Sequence, residues 1–335
     1  MMKIFAFSEY LRLRPFDSSS EQGRSAERYR LALWSVIANV FSRGIAMLVM
    51  VLSVSWTLPY LGEERFGVWM TIASFVGMLI FLDLGIGNAL TNHVAKAAAQ
   101  EKQATLTRTI SGGLGLLFLL GIFAGLLLSV LAANLPWASI IKVKNPAIHD
   151  EIRQALYLFS IFFGVNLFST GVQRVFVGLQ RSFEAHTATA IGSILSLMAL
   201  WWVAKNEAGI AILLIATLGC QSISGFLLLI LLKKRGLFQL PGIGSAIRAE
   251  KKSLLKVGGL FFVLQIGTMV GWGADSLIIS STLGAAQVAI YSVTQRLFQF
   301  VTLPLAMMNA PLWSAYADAH ARGDKKFILL SLIHI

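Results

Sequence analysis

Long apolar stretches alternate with short polar segments along the whole chain, and this alternation is its strongest pattern. Each stretch has roughly the 20 residues that a helix needs to cross a lipid bilayer. The segments between them carry most of the charged residues. The pattern predicts an all-α, polytopic membrane protein with eight complete spans, at residues 31–59, 66–90, 110–131, 154–177, 186–204, 210–232, 257–281 and 288–312, and a ninth apolar stretch that starts at Phe327.

Two segments of the chain, Leu61 to Gln103 and Leu283 to Lys325, share a pattern at a constant offset of 222 residues. Each starts with a Leu-Gly turn, continues into a long apolar helix and ends in an Ala-rich polar stretch. Internal repeats of this kind are typical of secondary transporters. We therefore expect two parallel six-helix repeats and twelve helices in the natural form, with the second repeat incomplete in this chain. A functional eight-helix protein is the alternative.

The helix pattern and the repeat together predict the domain organisation. Residues 1–30 are expected to form a polar cytoplasmic tail, and residues 31–232 a first transmembrane lobe of six helices. A cytoplasmic linker loop is expected at 233–256. Residues 257–335 are then an incomplete second lobe, with two helices and the start of a third.

The distribution of positive charge predicts the orientation. If the N-terminus is cytoplasmic, the cytoplasmic segments hold 21 of the 28 Lys and Arg residues and the external loops hold five. This asymmetry follows the positive-inside rule, and it explains the net charge of +12 without a nucleic-acid partner. Charged residues make up only 13% of the chain, against about 25% in soluble proteins. Cys220 is the single cysteine, so no disulfide forms within the chain.

Three short motifs carry a resemblance to a known family. They are Leu61-Gly62-x-x-x-Phe66-Gly67-Val68-Trp69, the run from Asp83 to Leu90, and Gly178-Leu179-Gln180-Arg181. The chain resembles the polysaccharide-export branch of the multidrug, oligosaccharidyl-lipid and polysaccharide (MOP) transporter superfamily. The resemblance implies a Wzx-type flippase that moves an undecaprenyl-pyrophosphate-linked oligosaccharide across a bacterial inner membrane by alternating access, for O-antigen, capsule or exopolysaccharide synthesis. It also implies membrane lipids, a polysaccharide polymerase and a chain-length regulator as partners.

Charges inside a bilayer are costly and often mark function. Arg43 lies 12 residues into the first predicted helix, or about 18 Å from its cytoplasmic end, and Asn39 precedes it by one turn. Arg296 lies about 13 Å into the eighth helix, between Gln295 and Gln299. Because arginine stays protonated and binds phosphate oxygens in pairs, we expect Arg43 and Arg296 to hold the pyrophosphate. Polar side chains are expected to line the sugar path at Asn39, Gln265, Gln295 and Gln299. The structural alternative is that both arginines only stabilise helix packing.

The carboxylates near the spans suggest other roles. Asp275 is a candidate site for a coupling ion, because a partly desolvated carboxylate can titrate in a useful range; the alternative is a carboxylate that reaches the external surface. Asp83 is expected to order a helix end and a gate. Pro304 interrupts the eighth helix, so a hinge is expected there.

Other classes of function fit less well. The sequence shows no paired carboxylates, metal-ligand spacing or nucleophile triad, so neither an enzyme nor a cofactor is predicted. Two alternatives remain open within the same architecture: a cation-coupled drug antiporter of the MATE type, and a flippase of the peptidoglycan lipid precursor.

Overall fold

The computed structural model describes residue 14, residue 16, and residues 21–99, 103–143, 145–272 and 274–299. The chain divides into two compact units, Met1–Ile290 and Tyr291–Ile335. Within the described residues every regular element is a helix. The prediction of an all-α protein is thus confirmed.

Ten α-helices are delimited in the described part of the chain. They are α1 (Glu21–Met78), α2 (Ile86–Ala99), α3 (Gln103–Asn134), α4 (Trp137–Ile140), α5 (His149–Gly178), α6 (Ser182–Lys205), α7 (Ile210–Leu214), α8 (Cys220–Lys234), α9 (Ile243–Trp272) and α10 (Asp275–Leu283). Short 3-10 turns lie at Leu79–Asp83 and Pro146–Ile148, and a π-helical turn at Ile215–Gly219 joins α7 to α8. Residues 285–299 are also helical.

Five segments of the described residues are long and apolar enough to cross a membrane. They are Leu33–Phe75, Gln103–Asn134, Pro146–Gly178, Ser182–Lys205 and Ile210–Lys234. The first is 43 residues long and covers the first predicted span and the start of the second. The protein is therefore a multi-pass membrane protein, and the number of its spans stays a prediction.

The second predicted span, 66–90, is wrong as a single helix. The chain leaves the helix at Met78, passes through the 3-10 turn and adopts a left-handed conformation at Leu84 and Gly85, which have φ angles of +51° and +69°. No side chain fits at Gly85, because a Cβ there would collide with the backbone oxygen of Gly258 on α9. Asp83 is the only polar residue between Leu79 and Leu84. The hydropathy of the sequence therefore gives little indication of this break.

The seventh predicted span, 257–281, also divides. Helix α9 ends at Trp272 and α10 begins at Asp275. An acidic residue in the first turn stabilises the exposed N–H groups of a new helix, which accounts for the position of Asp275.

The predicted loop 233–256 is helical over most of its length, because α9 begins at Ile243. Ala246, Glu250 and Leu254 follow one another at intervals of four and are buried at 6%, 8% and 0% exposure. This spacing places them on one helix face, and that face packs on α2 and α3. Only residues 235–242 of the predicted loop lie outside helices.

The repeat has a counterpart in the backbone. Gly62 interrupts α1 with φ +71° and ψ 170°, and Gly284 ends α10 with φ +99° and ψ 162°. These two glycines are 222 residues apart and adopt nearly the same conformation, which residues with a Cβ rarely reach. Each follows a leucine and precedes a helix. The common turn supports the two-repeat interpretation of the sequence.

Charge divides the two ends of the helix bundle. The basic end, as we call it, contains the turns at 99–103, 178–182 and 234–243; the opposite end contains the turns at 62, 134–149, 205–210 and 284. The basic end carries most of the described Lys and Arg residues, whereas five acids lie at the opposite end: Glu63, Glu64, Asp150, Glu151 and Glu207. This asymmetry is what the positive-inside rule describes.

Candidate transport site

Arg43 and Asn39 form a hydrogen-bonded pair on α1. The Nε of Arg43 donates to Oδ1 of Asn39 at 3.0 Å, as the one-turn spacing of the two residues allows. The guanidinium group therefore points one turn back from its own Cα toward the basic end. Arg43 is half-buried and forms no ion pair with any of the described residues.

A neighbouring helix covers one side of the α1 segment that carries Arg43. Helix α1 packs on α6, where Trp34 contacts Phe183 edge-to-face at 6.0 Å. The other side of α1 exposes large apolar side chains, with Val40 at 50% and Phe41 at 62%. Arg43 thus lies in the apolar part of a helix, next to a surface that the described residues leave open.

Asp83 organises the break between α1 and α2. Its Oδ1 accepts the N–H of Gly85 at 2.7 Å, and its Oδ2 accepts the N–H of Gly87 at 3.2 Å. These bonds satisfy donors at the start of α2 that have no partner within the helix. Oδ1 also accepts Nε2 of Gln265 on α9 at 3.0 Å, across 182 residues of sequence. The structure therefore brings together two residues for which the sequence predicts different roles.

A cavity of about 100 Å³ opens beside this contact; its lining is mostly apolar, and we call it the polar cavity after the five polar side chains that reach it. Its polar lining comes from α9 and the α1–α2 break (Gln265 and Asp83) and from one face of α5 (Asn166, Thr170 and Arg174). The volume is that of about three water molecules. Arg174 forms no ion pair within the described residues. The cavity is thus lined by the carboxylate of Asp83 and the guanidinium group of Arg174, which do not form an ion pair with each other.

Sequence reasoning missed Arg174, because it lies one turn from the end of a predicted span and was counted with the loop cations. A signal was present in the sequence. Asn166, Thr170 and Arg174 recur at intervals of four within α5, which places three polar side chains on one helix face. Thr170 Oγ1 donates to the backbone oxygen of Asn166 at 2.7 Å.

Gln265 carries an unsatisfied atom. Its Oε1 is buried and accepts no hydrogen bond from the described residues, while its Nε2 is held by Asp83. The opposite orientation of the amide would turn an oxygen toward the carboxylate, so the contact with Asp83 fixes the assignment. A buried acceptor without a donor costs about 1–3 kcal/mol, so this atom needs a structural or functional explanation.

The remaining predicted site residues lie elsewhere. Asp275 is half-buried in the first turn of α10. Gln295, Arg296 and Gln299 lie in the helical residues 285–299 and belong to the second unit, where Gln295 Nε2 donates to the hydroxyl of Tyr291 at 3.3 Å. Pro304 lies outside the described residues. The proposed roles of all these residues stay predictions.

Most of the ion pairs between helices lie at the ends of the bundle and fix helix positions. Arg65 binds Glu151 through two hydrogen bonds of 3.0 and 2.7 Å at the opposite end. At the basic end Glu184 binds Arg235, and Glu250 binds Arg108. No group of His, Cys, Asp and Glu residues in the described part of the chain is arranged to hold a metal ion.

Comparisons with known proteins agree with this architecture. Residues 30–314 match the family described as polysaccharide biosynthesis protein. The chain is 22% identical over 284 residues to a putative O-antigen export protein of Yersinia pseudotuberculosis; the alignment covers 84% of this chain and 64% of that protein. The chain thus spans less than two thirds of the length of this curated relative.

Two solved structures share the fold. An inward-facing MATE family multidrug resistance transporter of the MOP superfamily superimposes with a TM-score of 0.66 at 15% identity, over 85% of this chain and 66% of that one. An outward-facing MATE family transporter gives a TM-score of 0.59 at 17% identity, over 80% of this chain and 64% of the other. These similarities show the same helical architecture.

Proposed function

Because the chain belongs to the polysaccharide biosynthesis protein family, we propose that it is a flippase for an undecaprenyl-pyrophosphate-linked oligosaccharide in a bacterial inner membrane. The family is the one that the motifs at Leu61 and Asp83 predicted. The protein would act by alternating access, with its N-terminus and its basic end in the cytoplasm, and as a transporter and not as an enzyme. The relatives are themselves described as an export protein and as transporters.

One observation carries the proposal: Arg43 is a charged side chain in the apolar part of α1, without an ion pair among the described residues. An arginine remains charged in such a place, and desolvating it without an anionic partner is costly. A pyrophosphate group supplies that partner through charge-assisted hydrogen bonds. Asn39 holds the guanidinium group in place, and we propose that Arg296 contributes from the second repeat.

The polar cavity supports a second part of the proposal. We assign Asp83 and Gln265 to a gate, because their bond joins the α1–α2 break to α9 near the close approach of Gly85 and Gly258. Alternating access requires contacts of this kind to open and close. A single hydrogen bond to a carboxylate contributes about 1.5–3 kcal/mol, which is small enough for the contact to open and close. Arg174 then lies where an anion that passes the gate would meet it.

The proposal is tested by measuring translocation in proteoliposomes. The cargo is a pyrophosphate-linked oligosaccharide lipid, and a cationic dye and a peptidoglycan lipid precursor serve as comparison cargoes. The proteins compared are the wild type, Arg43→Gln and Arg153→Gln, the last of which removes the same charge from an exposed position.

We expect the wild type and Arg153→Gln to move the lipid and not the dye, and Arg43→Gln to lose lipid transport. Dye movement without lipid movement would assign the protein to the drug antiporters. Equal transport of a peptidoglycan lipid precursor would widen the cargo class beyond polysaccharide export. Full lipid transport by Arg43→Gln would refute the assigned site.

A further inference from the structure

A large apolar groove runs along the outside of the bundle between α3, α5 and α8. It has a volume of about 630 Å³ and is lined almost entirely by carbon. Along α3 it extends from Leu114 to Ser129, which corresponds to about 22 Å of helix. It is therefore longer than one leaflet of the hydrocarbon core, which is about 15 Å thick.

Aromatic rings and small residues shape this groove. Phe168 on α5 lies between Phe118 on α3 and Phe226 on α8, with ring-centroid distances of 5.9 and 6.5 Å. Phe118 and Phe226 remain 53% and 45% exposed. Gly121 and Gly164, which also line it, give the groove depth because they carry no side chain. A flexible hydrocarbon chain fits such a surface better than a folded protein does.

The same glycines separate the groove from the polar cavity. At the contact of α3 and α5, a Cβ on Gly121 would lie 2.6 Å from the backbone oxygen of Gly164, so the two backbones touch. Groove residues such as Phe118 and Phe168 lie on one side of this contact, and cavity residues such as Leu117 and Leu167 on the other. A chain in the groove does not reach the polar cavity, and none of the described residues that line the groove belongs to α1, which carries Arg43. Both facts argue against the tail of the proposed cargo as its occupant.

Charge identifies the headgroup. Lys233, in the last turn of α8, is the only charged residue that lines the groove within the described part of the chain. It is exposed and forms no ion pair with the described residues. Lys234, Arg248, Lys251 and Lys252 add positive charge to the same end. Clusters of this kind next to membrane helices attract anionic lipids.

We propose that the groove is a binding site for an anionic diacyl phospholipid of the leaflet at the basic end. One acyl chain lies along Phe118, Phe168 and Phe226, and the phosphate binds Lys233. The site is separate from the proposed transport path, and the lipid would fix the packing of α3, α5 and α8. This inference depends on the membrane location and not on the flippase function.

The test measures the phospholipid that stays bound to the purified protein, by native mass spectrometry, after exchange into equal amounts of phosphatidylglycerol and phosphatidylcholine. Lys233→Gln removes the charge at the groove. Lys234→Gln removes the neighbouring charge, which does not line the groove, and is the matched control. Ile161→Trp fills the groove from a position that is 57% exposed, so it does not disturb the core.

We expect the wild type to retain phosphatidylglycerol in preference to phosphatidylcholine. Lys233→Gln should reduce this preference by about fivefold, the effect of one lysine at an anionic headgroup, and Lys234→Gln, which does not line the groove, should reduce it less. Ile161→Trp should release both lipids while the protein stays folded and still unfolds in a cooperative thermal transition. Equal retention of the two lipids, equal effects of both lysine variants, retention of a polyprenyl lipid instead, or a wild-type groove without lipid would each overturn the proposal.

Discussion

Replacing Asp83 with asparagine is expected to weaken the contact between the α1–α2 break and α9. The carboxylate accepts three hydrogen bonds, from the N–H groups of Gly85 and Gly87 and from Nε2 of Gln265. Asparagine has one acceptor oxygen where aspartate has two. Its NH₂ group would face the N–H of Gly87, so at least that bond is lost and the other two become bonds between neutral groups.

The size of the effect follows from these bonds. A hydrogen bond to a charged group contributes about 1.5–3 kcal/mol, and one between neutral groups about 0.5–1.5 kcal/mol. The bond to Gly87 is long, at 3.2 Å, so its loss is taken at the lower limit of about 1.5 kcal/mol. Weakening the other two bonds from the lower limit for a charged acceptor to that for a neutral one adds about 1 kcal/mol each. We expect Asp83→Asn to destabilise the protein by about 3–4 kcal/mol.

The assay is thermal unfolding of purified protein followed by tryptophan fluorescence, in a double-mutant cycle with Gln265→Leu. By itself Gln265→Leu should be nearly neutral, because it removes the bond to Asp83 together with the unsatisfied Oε1. In the Gln265→Leu background, Asp83→Asn should cost about 1 kcal/mol less than in the wild type. Asp150→Asn, which removes a carboxylate from an exposed helix end, should change little. Strictly additive effects of Asp83→Asn and Gln265→Leu would refute the reasoning.

Two further predictions concern stability at the opposite end of the bundle and use the same melting assay. Glu151→Gln should lower the free energy of unfolding by about 1–3 kcal/mol. The reason is that Glu151 binds Arg65 through two hydrogen bonds and accepts the N–H of Ile210 at the start of α7. An unchanged melting temperature would show that these bonds contribute nothing. Gly62→Ala should cost about 1–3 kcal/mol, because its φ of +71° and ψ of 170° lie in a region that is essentially restricted to glycine. Gly259→Ala, in a helix with open space around it, should gain up to about 1 kcal/mol. The same sign for both changes would contradict the conformation of the repeated turn.

The sequence predicted the features that depend on local pattern. Apolar runs of sufficient length indicated a multi-pass helical protein, and the repeated Leu-Gly pair pointed to equivalent turns, which Gly62 and Gly284 adopt. The one-turn spacing of Asn39 and Arg43 suggested a shared face, and the two side chains are hydrogen-bonded.

Features that depend on distant contacts were not predictable in the same way. The bond between Asp83 and Gln265 joins residues 182 positions apart, and no local pattern in a single sequence encodes such a pairing. The amphipathic start of α9 was mistaken for a loop because its charges dominated the composition, although the spacing of Ala246, Glu250 and Leu254 already indicated a buried helix face. Breaks inside apolar runs, as at Gly85, leave little trace in hydropathy.

The central claim is that Arg43 binds the anionic part of the cargo, and an affinity measurement tests it most directly. The binding of a pyrophosphate-linked polyprenyl lipid to purified wild-type protein is compared with binding to Arg43→Gln and Arg43→Lys, with a polyprenyl alcohol as the uncharged reference ligand. The account predicts that Arg43→Gln weakens binding of the pyrophosphate lipid by about tenfold to a hundredfold, that Arg43→Lys weakens it less, and that binding of the alcohol is unchanged. Equal affinities of the wild type and Arg43→Gln for the pyrophosphate lipid would contradict the account.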